Sequence, residues 1–119
     1  MRTREQTKKL INKYLKWWVK WTGLGFQRVN AKFVDYWEGG MSADAICDSR
    51  WQYLESTLTF NLTNMQSQSD EQIEATVVHE LMHIFLNEMR ADEETGRIEH
   101  EERVASMLQR AFMWVRGAK

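Results

Sequence analysis

Residues 77–86 read VVHELMHIFL, and the organisation of the chain follows from this stretch. Val77, Val78, Leu81, Ile84, Phe85 and Leu86 leave no continuous polar face, as on a helix buried on most sides. Two histidines, His79 and His83, and a glutamate, Glu80, are set into that run. Residues four apart on a helix lie one above the other, so both imidazoles point the same way. Burying two imidazoles and a carboxylate without partners is costly. A metal ion gripped between the imidazoles supplies the partner, and the H-E-x-x-H spacing suits it. Glu80, beside the first ligand, reaches a water on the metal rather than the metal itself.

A third ligand is expected on the following helix. Ser69 or Asp70 offers an N-cap for the motif helix, with Gln72 or Glu74 near the capping-box position. RADEETGR at 90–97 reads as an acidic loop, and IEHEERVASMLQRAFMWV at 98–115 as the next helix, ended by RGAK. That helix carries His100, Glu101 and Glu102, 17 to 19 residues past His83. Its inward stripe is Val104, Ala105, Leu108, Ala111, Phe112 and Val115. Glu101 precedes Ala105 by four residues and Leu108 by seven, faces inward with them, and is the expected ligand. His100, at the edge of the stripe, is the alternative ligand, or a group that supports the ligands or faces the substrate. Glu102 lines up with Ser106, Gln109 and Met113 on a face expected to point outward. Without the motif opposite, this run is a solvated charge cluster favoured by the helix dipole.

The N-terminal half reads as one helix and several strands. From Glu5 to Trp21, Leu10, Tyr14, Trp17 and Trp21 recur at spacings of three and four as the expected core stripe, widened by Ile11, Leu15 and Trp18. Lys9, Lys13, Lys16 and Lys20 line the other face, and TGLG at 22–25 supplies a stop, with Gly23 or Gly25 free to take positive φ. FQRVNAKFVDYW at 26–37 alternates through Val29, Ala31 and Phe33, and EGGMS at 38–42 is a turn signal. ADAICD at 43–48 and RWQYLES at 50–56 offer further strand segments. STLTFNLTNM at 56–65 is the clearest strand, with Leu58, Phe60 and Leu62 alternating with Thr57, Thr59, Asn61 and Thr63. The order is helix, three or four strands, helix, helix: an α+β fold. No repeat or linker divides it, so residues 1–119 are expected to form a single domain.

Composition narrows the class. Apolar residues make up 43% and charged residues 28% of 119, ordinary for a globular domain. Cys47 is the only cysteine, so no disulfide forms within the chain, which points to a reducing compartment. The first residues lack the apolar core of a signal peptide, and no window reaches the ~18–20 apolar residues of a membrane span. The expected location is cytoplasmic. Residues 1–32 hold nine of the sixteen basic residues against one acid, whereas the remainder holds seven basic and sixteen acidic, a net of −9. Lysines interleaved with tryptophans in KKLINKYLKWWVKW suit a phosphate-tracking surface or a membrane interface. They equally suit a helix that packs its aromatics on a sheet and leaves its lysines in water, the reading favoured here.

HELMH, a short loop and then EERVASML resemble the H-E-L-x-H motif and glutamate-bearing helix of minimal zincin metallopeptidases of gluzincin-like type. The ImmA/IrrE type and related phage-encoded metallopeptidases are of this kind. The resemblance covers residues 70–115; the helix-then-strands order of residues 5–65 agrees with it. It implies a zincin-like fold with an N-terminal helix, a small three- to four-stranded, mostly antiparallel sheet, an active-site helix and a C-terminal ligand-bearing helix. It also implies zinc (Zn2+) held by His79, His83 and Glu101, Glu80 as general base, and a zinc-dependent hydrolase cutting peptide bonds of a protein or peptide substrate. It further implies that STLTFNLTN, before the motif helix, is an edge pairing with substrate, and that Tyr36, Tyr53 or His100 donates to the oxyanion. The chain departs from the ImmA/IrrE pattern, since RVAS stands where an E-A-N-type run is usual. Leu86 replaces the glycine of the longer H-E-x-x-H-x-x-G-x-x-H pattern, which excludes the metzincins. Two other classes fit the same sequence: a catalytically silent regulatory or binding module of the same shape, and a small nucleic-acid-associated protein using the basic helix.

Overall fold

The computed structural model describes residues 1–37, 43–50, 53–86 and 95–117, with side chains of the last segment from Glu101 on. The turn signal at 38–42, Trp51, residues 90–94 of the loop expected at 90–97 and the side chain of His100 lie outside the described residues, and residues 95–97 of that loop are helical instead.

Helix α1 (Arg4–Thr22) opens on a capping box. The Thr3 hydroxyl accepts from Gln6 N–H at 3.1 Å, and the Gln6 amide oxygen accepts from Thr3 N–H at 2.8 Å. It closes on Gly23 at φ 81°, whose N–H donates to the Lys20 carbonyl. Its buried stripe is Ile11, Leu15 and Trp18, with Thr7 above them. This corrects the expected stripe of Leu10, Tyr14, Trp17 and Trp21: Leu10 and Tyr14 pack at the core's margin, while Trp17 and Trp21 stay half-exposed. Both stripes obey the same spacing, and polar partners decide between them. Trp18 Nε1–H donates to the buried Glu74 carboxylate at 2.7 Å, and Arg116 pairs with the other Glu74 oxygen. An indole in the core needs such an acceptor.

Strands β1 (Arg28–Val34), β2 (Ala45–Arg50) and β3 (Glu55–Asn61) form one sheet in the order β1-β3-β2. β1 runs parallel to β3 and β2 antiparallel to it, so the sheet is mixed rather than mostly antiparallel. β2, between β1 and β3 in the chain, sits on the far side of β3, which sends β3 back in the direction of β1. β3 is therefore the central strand and not the expected edge; among the described residues β1 and β2 are the outer strands. Alternation holds as expected: Leu58 and Phe60 are buried, and Ala31, Phe33, Ala45 and Cys47 are their cross-strand partners. β3 stops at Asn61, earlier than its sequence alternation implies. The Asn61 side chain accepts from Asn64 N–H at 3.1 Å and starts the one-turn helix α2 (Leu62–Met65).

Helix α3 (Asp70–Leu86) begins at a second capping box: Ser69 Oγ accepts from Gln72 N–H at 3.2 Å, and the Gln72 amide oxygen accepts from Ser69 N–H at 2.9 Å. It touches α1, β2 and helix α4 (Thr95–Gly117), and is buried on most sides as its composition predicts. Ile73, Val77, Val78, Leu81 and Met82 join Ile11, Trp18, Leu58, Phe60 and Ala105 in one apolar cluster. The architecture is α+β. Among the described residues no helix is long and apolar enough to cross a membrane.

Glu74 thus ties three helices together. Glu74→Ala is expected to lower unfolding free energy by about 2 kcal/mol, because a buried indole N–H loses its acceptor. A urea midpoint equal to that of the parent chain would show that this tie carries no stability.

Candidate metal centre

The motif residues sit in the second half of α3. One helical turn brings the two imidazoles together, with His83 Nε2 and His79 Nε2 3.3 Å apart. α4 packs Ala105 and, partly, Leu108 and Phe112 onto the core, and this seating carries its first acidic pair to the imidazoles. The two glutamates go to different nitrogens. Glu101, fully buried, accepts from His83 Nδ1–H at 2.6 Å. Glu102, 49% exposed, sets one oxygen 2.7 Å from His83 Nε2 and the other 3.3 Å from His79 Nε2.

His79, His83 and Glu102 are therefore the group that could hold a metal ion, with ligand atoms within 4.8 Å of one another. Tetrahedral ligands about 2.0–2.1 Å from one ion lie about 3.3 Å apart, which the Nε2–Nε2 spacing matches. The ligand expected from helical phase was Glu101, and the structure seats its carboxylate behind His83 instead. Glu101 points inward as the helical phase implies, and its carboxylate meets His83 at Nδ1 rather than at Nε2. The inward position meets the Nδ1 side of the ring, whereas the more exposed Glu102 reaches the Nε2 side of both rings. By engaging Nδ1, Glu101 orients the His83 ring so that Nε2 is the nitrogen turned toward Glu102 and His79.

Burial holds His79 below the usual imidazole range, and neighbouring His83 pushes the same way; Glu102 pulls back against both. The net direction favours a neutral ring, whose lone pair is open to a cation. The short contact to Glu102 is accordingly no evidence for a charged His79 in the folded chain.

Glu80, one residue past His79, is buried and lines a cleft of about 230 Å³ together with His79. Asp44, Thr76 and Gln109 complete its polar wall. Gln68 donates to the Asp44 carboxylate at 2.9 Å and steadies it there. Two carboxylate residues, Glu80 and Asp44, line the cleft, and Glu102 contacts its lining residue His79.

Glu102, Asp44, Thr76 and Gln109 were missed from sequence. For the α4 pair a signal existed: Glu102, Ser106, Gln109 and Met113 share one helical face. Ser106, Gln109 and Met113 are partly buried, and Gln109 lines the cleft, so this face is not wholly turned to open solvent. Tyr36 and Tyr53, expected as oxyanion donors, are exposed and do not line the cleft. Comparison with protein-family models, with curated proteins and with solved structures finds no match for this chain.

Proposed function

We propose that this protein is a zinc-dependent hydrolase acting on peptide bonds. The observation that carries this reading is the joint placement of His79, His83 and Glu102 around one small volume, with Glu80 in the adjoining cleft. Two imidazoles and a carboxylate are a donor set suited to zinc. A structural zinc site closes its fourth position with protein and has no use for a neighbouring carboxylate that holds off the ion. When bound, zinc polarises a substrate carbonyl and makes water a nucleophile near neutral pH.

The chain's own residues do the remaining work. Glu80 accepts a proton from the attacking water and returns it to the leaving amine. Glu101 holds the His83 ring through Nδ1, so the ring cannot rotate away during turnover. β2 is the outer strand on the side of α3, and its first residue, Ala45, lines the cleft. An extended peptide pairing with the outer edge of β2 passes Asp44 and Ala45 and brings a carbonyl to Glu80. This edge takes the place expected for the strand at 56–64, which is central and already paired on both sides.

The test is metal content followed by proteolysis. The purified chain is expected to carry, or take up, about one zinc and to cleave an unfolded protein substrate, with cleavage lost to a chelator and restored by zinc. A chain that binds no divalent metal ends the hydrolase reading. One zinc with no cleavage of any unfolded substrate makes it a binding module of the same shape.

A further inference from the structure

Eight of the nine cations of residues 1–32 divide into two groups; the ninth, Lys32, is exposed on β1. Arg2 pairs with Asp70, Arg4 with Asp35, Lys8 with Glu5 and Arg28 with Glu55. Lys9, Lys13, Lys16 and Lys20 are exposed and, among the described residues, make no ion pair. Their spacing of four, three and four residues sets them in one line about 16 Å long on α1.

The row borders an aromatic groove. Lys13, Lys16 and Lys20, with Tyr14, Trp17 and Arg116, surround a groove of about 560 Å³. Glu74 lies at its floor but is engaged by Arg116 and by the Trp18 indole, which leaves the lysines unopposed. Trp17, 46% exposed, is stacked on Trp21 with centroids 6.1 Å apart and planes 8° from parallel. Trp21 is in turn braced edge-on by Phe112 at 5.6 Å and 81°. A flat, pre-ordered ring surface thus stands among unpaired cations.

Charge and shape select among anionic partners. A membrane-interface helix needs its apolar face free, and here Ile11, Leu15 and Trp18 spend that face on the core. A duplex offers phosphates but keeps its bases stacked internally, so it makes no use of an exposed indole. Single strands offer both a phosphate row and free base faces. We propose that α1 is a binding surface for single-stranded nucleic acid, with phosphates along Lys9, Lys13, Lys16 and Lys20 and a base stacked on Trp17. The groove shares no lining residue with the metal cleft, so this inference stands apart from the hydrolase reading.

The experiment is fluorescence anisotropy of the full chain with a labelled oligo-dT across a salt series. Three or four phosphate contacts predict a log–log salt slope of about −2 to −3. Lys13→Gln/Lys16→Gln/Lys20→Gln, all at exposed positions, is expected to make that slope shallower by about 2. Trp17→Ala is expected to weaken binding about 5- to 100-fold at unchanged slope, and Trp17→Tyr to restore most of it. No oligonucleotide binding at low salt, or binding indifferent to the lysine substitutions, overturns the proposal. So does capture by phosphatidylserine vesicles without oligonucleotide binding, which would make the row a membrane contact. Equal affinity for a duplex of the same length, with no effect of Trp17→Ala, overturns the single-strand assignment.

Discussion

Glu80→Gln is expected to keep its zinc and to lose peptide hydrolysis by about 10²- to 10⁴-fold, the usual contribution of a positioned acid–base group. The amide has nearly the shape of the carboxylate, so the buried site is not emptied and the fold is not charged with a new cavity. What it lacks is the capacity to accept a proton from water at neutral pH. Glu80 also stands outside the group of His79, His83 and Glu102, so metal content is not expected to change. Metal analysis beside initial rates on one unfolded substrate separates the roles. Full activity with zinc retained removes Glu80 as the base, whereas loss of zinc makes it a ligand.

The second large effect distinguishes the two adjacent glutamates of α4. Glu102→Ala would remove one of the three proposed ligands and is expected to weaken zinc affinity by more than about 100-fold, beyond the range for a partner that only orients a ligand. Glu101→Gln is expected to cost only about 10- to 100-fold, the range for a partner that orients a ligand. The glutamine side chain still engages His83 Nδ1, so the ring orientation survives while the negative charge behind the ring is lost. Competition against a chromophoric chelator ranks the two variants. The reverse order, with Glu101→Gln the more damaging, returns the third ligand to Glu101 and rejects the seating of α4 described above.

Local features of this fold were legible because they depend on neighbours in the chain. Ser69 with Gln72 forms the capping box within one turn, and Gly23 takes the left-handed conformation that ends α1. The alternation of Leu58 and Phe60 survives as the buried face of β3. What was misread depends on packing between distant segments. Nothing in residues 56–61 states that β1 and β2 lie on either side of them, and a central strand that alternates reads like an edge strand. The tryptophans of α1 fit two stripes equally, and Glu74, fifty-six positions from Trp18, decided which indole went inside.

His79, Glu80 and His83 belong to one rigid helix, so their relative positions follow from covalent spacing and helical geometry alone. The sequence by itself therefore determined the pair of imidazoles and the neighbouring carboxylate. The third carboxylate comes from α4, whose rotation is set by how Ala105, Leu108 and Phe112 seat against the core. A polar helix face looks the same in sequence whether it borders open water or a cleft, because both solvate a carboxylate. Only the tertiary structure could therefore send Glu101 behind His83 and Glu102 to the nitrogens in front.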